Sequence, residues 1–373
     1  MSLRVTLVVN SRTNIEGPMS APTETRSAYD VLGAAVDRDR AWHSTDLDDG
    51  AITSLSVTEI GDLAYAAKAL PADCFDWADF SLDAITKAPL SARFDELAEE
   101  VAHGRGFVIL RGLDANDPEM LRRMFWILGN HFGTPVMQNA RGEILSEVYD
   151  RFAGAPRSID SRGYESNDEL RFHCDGGDCI GLGCVRPSPT GGGSGLVSLF
   201  AIYNELLAHH PEHLATLYRG FPLYVRKEAV GDGSSTREAS VADRCMPTFA
   251  VKKGRLSAWL NMVLAEHAAS ALGKPMDATS RAALACVEEI AERPNMKLRF
   301  TLEAGDVMWV HNMAVMHRRD FYQDDPDPGK RRLFYRMWTN FRTPREVVPE
   351  HAALRVGIRG PVPVVVGPGA AGE

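Results

Sequence analysis

The chain has 373 residues, of which 45% are hydrophobic and 24% charged, a composition typical of a globular protein with a sizeable core. Its formal net charge of −9 argues against nucleic acid or an anionic membrane as the main partner, although single anions can still bind in a local basic pocket. Because no apolar stretch is long enough to span a bilayer and the first apolar run is too short for a secretory signal, we predict a cytoplasmic protein.

The first part of the chain has few motifs, and we predict that residues 1–94 form a helical and irregular extension. Within this extension and just after it, apolar residues recur at helical spacing in three segments. A short apolar run between the second and the third is typical of a buried strand. This helix–strand–helix order is expected to support a β-rich core that begins near residue 173. The predicted elements are a helix over 57–70, a helix over 94–103, a strand over 107–110 and a helix over 118–132.

The second half of the chain alternates short apolar runs with turn signals, which is typical of a β-rich domain. We predict a catalytic domain over 95–345 and a tail over 346–373 that frays from residue 357 onward. Residues 228–246, rich in Gly, Ser, Asp and Glu, are expected to form a mobile loop. Strands are predicted over 179–185, 196–200, 223–226, 248–252, 256–260, 297–302, 307–311 and 332–341, and helices over 202–208, 211–218 and 278–292.

Six cysteines in a chain of this length do not indicate a disulfide framework. Cys174, Cys179 and Cys184 recur every five residues, which raises the question of a zinc cluster, but this is not the spacing of paired C-x-x-C ligands. On a strand, Cys174 would also point away from its neighbours on either side. We therefore predict free and mostly buried thiols.

The candidate chemistry centres on His173 and Asp175, which are separated by one residue and would share one face of an extended segment. A second histidine from another strand would complete two imidazoles and one carboxylate, the facial set that holds non-haem Fe(II) and leaves its other positions open. Alone, such a triplet more often marks a turn histidine beside a surface carboxylate. Downstream, His311 and His317 both follow strand-like runs and are the two candidates for the third ligand.

Taken together, the motifs resemble the taurine dioxygenase family of Fe(II)/2-oxoglutarate-dependent oxygenases. The resemblance runs from about residue 97 to residue 343, and it includes Gly-Arg-Gly-Phe-Val-Ile-Leu-Arg-Gly-Leu at 104–113 and Leu-Gly-Asn-His-Phe-Gly-Thr-Pro-Val at 128–136. It implies a mixed α/β (α+β) fold, a double-stranded β-helix or jelly roll flanked by helices. It also implies that His173, Asp175 and His317 bind the iron, so that His317 is preferred to His311.

The resemblance further implies that Arg332 binds the distal carboxylate of 2-oxoglutarate, with Ser194 where the family often has Thr. Arg336 matches a second family arginine, near the substrate or near the other end of the cosubstrate. The two arginines would share a face of one strand about 13 Å apart, whereas Arg331 would point outward. The alternative for each is a surface salt bridge to the acidic residues just upstream, Asp324, Asp325 and Asp327.

The implied reaction uses Fe(II), 2-oxoglutarate and O2, releases succinate and CO2, and oxidises a C–H bond of a small molecule. Because family members that halogenate lack the carboxylate ligand, Asp175 favours hydroxylation, or a related desaturation or ring closure. A buried Arg336 needs an anionic partner, so we expect an anionic group near it, either on a carboxylate or amino-acid-like substrate or at the chelating end of 2-oxoglutarate. Whether the chain forms a homo-oligomer is left open.

Two other functions are weighed against this one. A non-catalytic, cupin-like binding protein would not need Arg332 and Ser194 at these positions. A zinc-dependent hydrolase could use the same three ligands, but it leaves the paired arginines unexplained. Some further residues are assigned only provisionally: the substrate side is predicted for Gln138, Asn139, Arg141, Tyr164 and Asn167, a solvated surface for His209, His210 and His213, and core or pocket wall for Trp309 and Trp338.

Overall fold

The computed structural model describes residues 7–10, 24–27, 31–47, 51–71, 92–152, 158–230, 233 and 235–358. Its helices are α1 (Val57–Lys68), α2 (Ala92–Ala102), α3 (Pro118–Phe132), α4 (Leu199–His209), α5 (Leu214–Arg219), α6 (Met262–Ala271), α7 (Ala278–Glu292) and α8 (Pro349–Ala353). Its strands are β1 (Leu7–Asn10), β2 (Glu24–Ser27), β3 (Ile52–Ser54), β4 (Phe107–Arg111), β5 (Thr134–Val136), β6 (Leu145–Val148), β7 (Leu170–His173), β8 (Cys179–Arg186), β9 (Thr190–Gly191), β10 (Ser194–Ser198), β11 (Tyr224–Val225), β12 (Glu228–Val230), β13 (Ser235–Arg237), β14 (Ser240–Val241), β15 (Phe249–Lys252), β16 (Arg255–Ala258), β17 (Leu298–Phe300), β18 (Val307–His311), β19 (Val315–Arg319), β20 (Tyr322–Gln323) and β21 (Leu333–Asn340).

Two sheets form the β core. The major sheet has seven strands in the order β3-β4-β18-β8-β21-β5, with β6 also paired to β21, and the minor sheet has four in the order β17-β10-β19-β7. Within these two sheets every pairing is antiparallel except that of β3 with β4. Side chains from both sheets share one buried cluster, which includes Phe172 and Met316 from the minor sheet and Ile180 and Phe334 from the major sheet. This confirms the predicted jelly-roll core of a mixed α/β chain.

Helices cover the other face of the major sheet. In α3 the Asp117 side chain accepts a hydrogen bond from the Met120 N–H, and Pro118 occupies the first turn, so the sequence defines where this helix begins. Its apolar stripe, including Phe125, is fully buried in a second cluster that also contains Trp309 of β18. The Phe125 and Trp309 rings stack with their centroids 5.2 Å apart.

Three predictions about this part of the chain are wrong in detail. The β core begins well before residue 173, because β3 and β4 already belong to the major sheet. The strand predicted over 196–200 ends at Ser198, whose side chain accepts a hydrogen bond from the Ala201 N–H and begins α4. The predicted loop over 228–246 contains the short strands β12, β13 and β14.

Other predictions concern membrane-spanning helices, the C-terminal tail and the cysteines. In the described ranges no helix is both long enough and apolar enough to cross a bilayer. Most of the tail predicted to fray lies outside the described residues, as does Cys74. The other five cysteines are free thiols, and Cys174, Cys179 and Cys184 are fully buried, as predicted.

Candidate functional site

Neighbouring strands of the minor sheet bring His173 and His317 together. His173 is the last residue of β7, and His317 is directly opposite it in the middle of β19. Their ring centroids are 4.3 Å apart, and His317 is 7% exposed. This juxtaposition depends on antiparallel pairing between segments 144 residues apart in the chain (317 minus 173), so it is visible only in the folded protein.

Asp175 lies two residues beyond His173, where the chain leaves β7. One ligand atom from each of His173, Asp175 and His317 lies within 4.8 Å of the others, and His173 Nε2 is 3.9 Å from Asp175 Oδ1. Among the described residues no other trio of His, Cys, Asp or Glu is clustered in this way. Two imidazoles and one carboxylate on one side of a shared point fit a divalent metal such as Fe(II).

The protonation states of the three side chains also fit a metal. His173 Nδ1 is 2.8 Å from the carbonyl oxygen of Arg171, so it is assigned as the N–H donor, which leaves Nε2 free as a ligand. Burial, together with the neighbouring His173, lowers the pKa of His317 to about 3, which keeps this imidazole neutral. Burial opposes ionisation of Asp175, but Arg336 and the two histidines outweigh it and hold its pKa below the usual value.

A cavity of about 410 Å³ opens beside the trio, between the two sheets. Its walls include all six predicted site residues: His173, Asp175, Ser194, His317, Arg332 and Arg336. The cavity also receives Tyr164 from the segment before β7 and Asn261 from the start of α6. The size is within the range of small-molecule sites.

Arg332 is buried, so the surface salt bridge considered above does not describe it. Its guanidinium lies 3.9 Å from the ring centroid of Phe334 and 5.0 Å from that of Tyr322. The Asp324 carboxylate accepts a hydrogen bond from the backbone N–H of Arg332, at 2.6 Å. Within the described structure Arg332 Nη1 is buried without a hydrogen-bond partner. Burial also lowers the pKa of this arginine. A buried, unpaired N–H group in a cavity wall fits an anionic ligand.

Arg336 is fixed on three sides. Its Nε donates to Gln138 Oε1 at 2.6 Å, its guanidinium lies 3.8 Å from the Tyr164 ring centroid, and its Nη1 is 3.6 Å from Asp175 Oδ2. Its Nη2 is buried and has no hydrogen-bond partner among the described residues. Gln138 therefore orients Arg336 from behind and, contrary to the provisional prediction, is not among the residues that line the cavity.

The alternative ligand His311 and most of the other predicted substrate-side residues lie outside the cavity. His311 lies in β18 of the major sheet, is 3% exposed and packs its ring against Phe341 at 4.9 Å between centroids. Asn139 and Arg141 both bind Glu143, outside the cavity, and Asn167 donates a hydrogen bond to the Tyr322 carbonyl. Of the predicted substrate-side residues, Tyr164 lines the cavity.

Arg319, two residues after His317 on β19, was not predicted as a site residue. It is 6% exposed, lines the cavity, and donates hydrogen bonds from Nη2 to the carbonyls of Ser166 and Asp168. Strand alternation was the available signal, because residues 317 and 319 share one face. Arg319 ties the segment that carries Tyr164 to the strand that carries His317.

Comparisons with known proteins agree with this geometry. A family model described as "Taurine catabolism dioxygenase TauD, TfdA family" matches residues 67–338. The chain is 30% identical over 270 residues to FR-33289 synthase of Streptomyces rubellomurinus, covering 71% of this chain and 77% of that protein. It is 27% identical over 254 residues to "Taurine hydroxylase-like protein SAT17" of Stachybotrys chartarum, covering 64% of this chain and 62% of that protein.

Solved structures of similar fold include two non-haem iron enzymes. One is asparagine oxygenase in complex with Fe(II), 2S,3S-3-hydroxyasparagine and succinate, with a TM-score of 0.59 at 15% identity, covering 78% of this chain and 93% of that one. The other is the oxygenase OrfP in complex with Fe, succinate and (3S)-hydroxy-L-Arg, with a TM-score of 0.59 at 16% identity, covering 78% and 94%. The match to the family model and the identity to FR-33289 synthase together show that the chain belongs to the taurine catabolism dioxygenase TauD, TfdA family.

Proposed function

We propose that this Fe(II)- and 2-oxoglutarate-dependent oxygenase binds its iron through His173, Asp175 and His317 and oxidises a C–H bond of a small organic substrate. The observation that carries the proposal is the cluster of three ligand atoms within 4.8 Å at the wall of one cavity. In the overall reaction, O2 and 2-oxoglutarate give succinate and CO2 while the substrate gains one oxygen atom. Desaturation or ring closure would instead remove two hydrogens and form water.

When bound, Fe(II) supplies O2 activation together with 2-oxoglutarate, and the chain's residues bind and orient the reactants. His173, held by the Arg171 carbonyl, and the neutral His317 offer ring nitrogens, and Asp175 offers a charged oxygen. Arg332, with its unpaired Nη1, binds the distal carboxylate of 2-oxoglutarate, and Ser194 contributes a hydroxyl from the first residue of β10.

The substrate is proposed to carry an anionic group, such as the carboxylate of an organic acid or amino acid. Arg336 supports this, because its buried Nη2 has no partner among the described residues and its Nε and ring contacts fix its orientation. The contact with Asp175 involves Nη1 alone, so Nη2 is the group left to bind a further anion. Asparagine oxygenase and OrfP, which share the fold, have hydroxylated amino acids in their solved complexes.

The test is succinate production from 2-oxoglutarate with Fe(II), ascorbate and O2. The wild-type enzyme should form succinate, and His173→Ala and His317→Ala should abolish it, because each removes one of three ligands. The matched control is His311→Ala, another buried histidine, which should retain stoichiometric iron binding.

Full activity in either ligand variant would contradict the assignment. Loss of iron from His311→Ala but not from His317→Ala would show that the distal ligand is wrong. If the protein binds a metal but forms no succinate with any substrate tested, the cupin-like binding protein or the zinc-dependent hydrolase would be the better description. A cytoplasmic location stays a prediction that fractionation tests, and light scattering measures the oligomeric state, which is left open.

A further inference from the structure

The backbone of Asp175 is held by side chains from two distant segments. Its N–H donates to Asn312 Oδ1 at 3.1 Å, and its carbonyl oxygen accepts a hydrogen bond from Trp259 Nε1 at 2.8 Å. Asn312 is fully buried and also donates from Nδ2 to the Gly176 carbonyl at 2.8 Å. The turn that carries this carboxylate is therefore held by the residues that follow β16 and β18.

The Asp175 carboxylate is held as well, through one of its two oxygens. Trp338 Nε1 donates to Oδ2 at 3.2 Å, and Arg336 Nη1 lies 3.6 Å from the same atom. The other oxygen, Oδ1, is the one that lies 3.9 Å from His173 Nε2. The two oxygens thus have different roles, because Oδ2 faces β21 and Oδ1 faces the histidine ligand.

A close approach at Gly176 allows the indole to reach Asp175. A Cβ added at Gly176 would lie 2.6 Å from Cζ3 of the Trp338 ring, a distance that real side chains do not tolerate. Trp338 itself is 5% exposed in β21, where it pairs with Ile180 of β8. The Trp338 ring can therefore lie in this position only because residue 176 has no side chain.

We propose that Trp338 is a positioning residue that makes Asp175 a one-oxygen ligand. Its indole N–H, together with Arg336, occupies Oδ2, so that Oδ1 alone would be left to hold the metal. A carboxylate that bound through both oxygens would take one of the three positions that 2-oxoglutarate and O2 need. The inference rests on the proposed metal site, and it assigns a role to a residue that the sequence placed only in the core or pocket wall.

The test replaces Trp338 with Phe in the full-length, metal-free protein and measures binding of Co(II), used in place of Fe(II) because it is stable in air and has a visible spectrum. Trp338→Phe keeps a ring beside Arg336 but removes the N–H donor. Removing a residue that hydrogen-bonds to a metal ligand typically weakens metal affinity by about 10- to 100-fold. We therefore expect the Kd for Co(II), measured by calorimetry, to rise by at least about 10-fold. The visible bands of bound Co(II) should also shift, because they report its coordination number.

The matched control is Trp309→Phe. Trp309 is also a buried tryptophan of the major sheet, but its Nε1 has no hydrogen-bond partner in the described structure. This variant should bind Co(II) with wild-type affinity and spectrum. If Trp338→Phe is less stable to heat than the control, Gly176→Ala provides the second test, because the added Cβ should displace the indole and produce the same weaker binding and shifted spectrum.

Wild-type affinity and spectrum in both Trp338→Phe and Gly176→Ala would overturn the positioning role. This outcome is distinct from failure of the metal site itself. In that case the wild-type protein would bind no stoichiometric Co(II), or His173→Ala would bind it as tightly as the wild type.

Discussion

Arg332 and Arg336 have the same charge and nearly the same burial, yet their surroundings differ. Arg332 lies against the aromatic rings of Tyr322 and Phe334 with Nη1 unpaired, whereas Arg336 bonds to Gln138 and approaches the Asp175 carboxylate. The two side chains should therefore bind different anions, and substitutions at the two positions should have different kinetic effects.

Arg332→Ala should raise the Michaelis constant for 2-oxoglutarate by about 10- to 100-fold, because hydrogen bonds to a charged group are worth about 1.5–3 kcal/mol. Iron binding should persist, since no metal ligand changes. Arg331→Ala is the matched control and should leave the constant unchanged, because the Arg331 side chain donates to the Asp325 carbonyl and does not line the cavity. An unchanged constant in Arg332→Ala would remove its assigned role.

Arg336→Lys keeps the positive charge but loses the planar fork that binds a carboxylate through two N–H groups. If the anion belongs to the substrate, substrate-stimulated turnover should fall while uncoupled 2-oxoglutarate decay persists. If both fall together, Arg336 serves the cosubstrate, and an acidic substrate is no longer implied. A best substrate that is neutral or cationic, with Arg336 bound to neither ligand, would contradict the proposal.

At the residue scale, sequence spacing proposes two of the three metal ligands and the family resemblance proposes the third, His317, but neither finds the residues that hold Asp175. His173 and Asp175 are two apart, a spacing that predicts one shared face on an extended segment, although β7 ends at His173. Trp259, Asn312 and Trp338 reach Asp175 from 84, 137 and 163 residues away. Nothing local marks such partners, because the fold alone brings them together.

At the element scale, the same glycine-to-alanine change should have opposite effects in β8 and α1. A Cβ at Gly181 of β8 would lie 2.3 Å from Cζ3 of the Trp309 ring, whereas nothing lies within 4 Å of a Cβ at the exposed Gly61 of α1. Gly181→Ala should lower the free energy of unfolding by about 1–3 kcal/mol through overpacking. Gly61→Ala should raise it by about 0.5–1 kcal/mol through helix propensity. Urea denaturation measures both, and equal effects would contradict the packing described here.

Elements with strong local signals were predicted well. Residues 118–132 and 278–292 have an apolar stripe preceded by an aspartate cap, and both helices have the predicted bounds. The strand over 307–311 also has its predicted bounds. The error at 196–200 arose because Leu199 and Phe200 continue the apolar run of the strand, while the cap at Ser198 begins a buried helix. Apolar runs alone do not separate these two cases.

At the scale of the whole molecule, burial of neutral histidines predicts acid sensitivity. Burial lowers the pKa of His351 to about 4 and, with nearby arginines, holds the pKa of His311 well below its usual value. An unfolded chain takes up these protons near pH 6.5, whereas the folded protein does not, so stability should fall as pH decreases from about 6.5 to 5.

Urea unfolding of the chelator-treated protein at several pH values measures this effect. His351→Gln removes one of the groups, so its stability should change less steeply with pH than that of the wild type. Stability that is flat across this range in the wild type, or equally steep in His351→Gln, would contradict the expectation.

The architecture as a whole was predicted through the family resemblance rather than from local pattern. Short β runs indicate a β-rich domain, but the pairing of β7 with β19 and of β8 with β18 and β21 joins segments far apart in the chain. The core was predicted to begin too late because no local signal shows that β4 pairs with the distant β18 or that β3 pairs in parallel with β4.

The central claim is that His173, Asp175 and His317 hold the iron and that Arg332 holds the cosubstrate. A crystal structure of the protein grown without O2 in the presence of Fe(II) and 2-oxoglutarate tests it most directly. The account predicts one metal ion, located by its anomalous signal, bound by His173 Nε2, Asp175 Oδ1 and a His317 ring nitrogen, with the distal carboxylate of 2-oxoglutarate on Arg332. Iron on His311 or at any other cluster, or that carboxylate on Arg336 instead of Arg332, would contradict it.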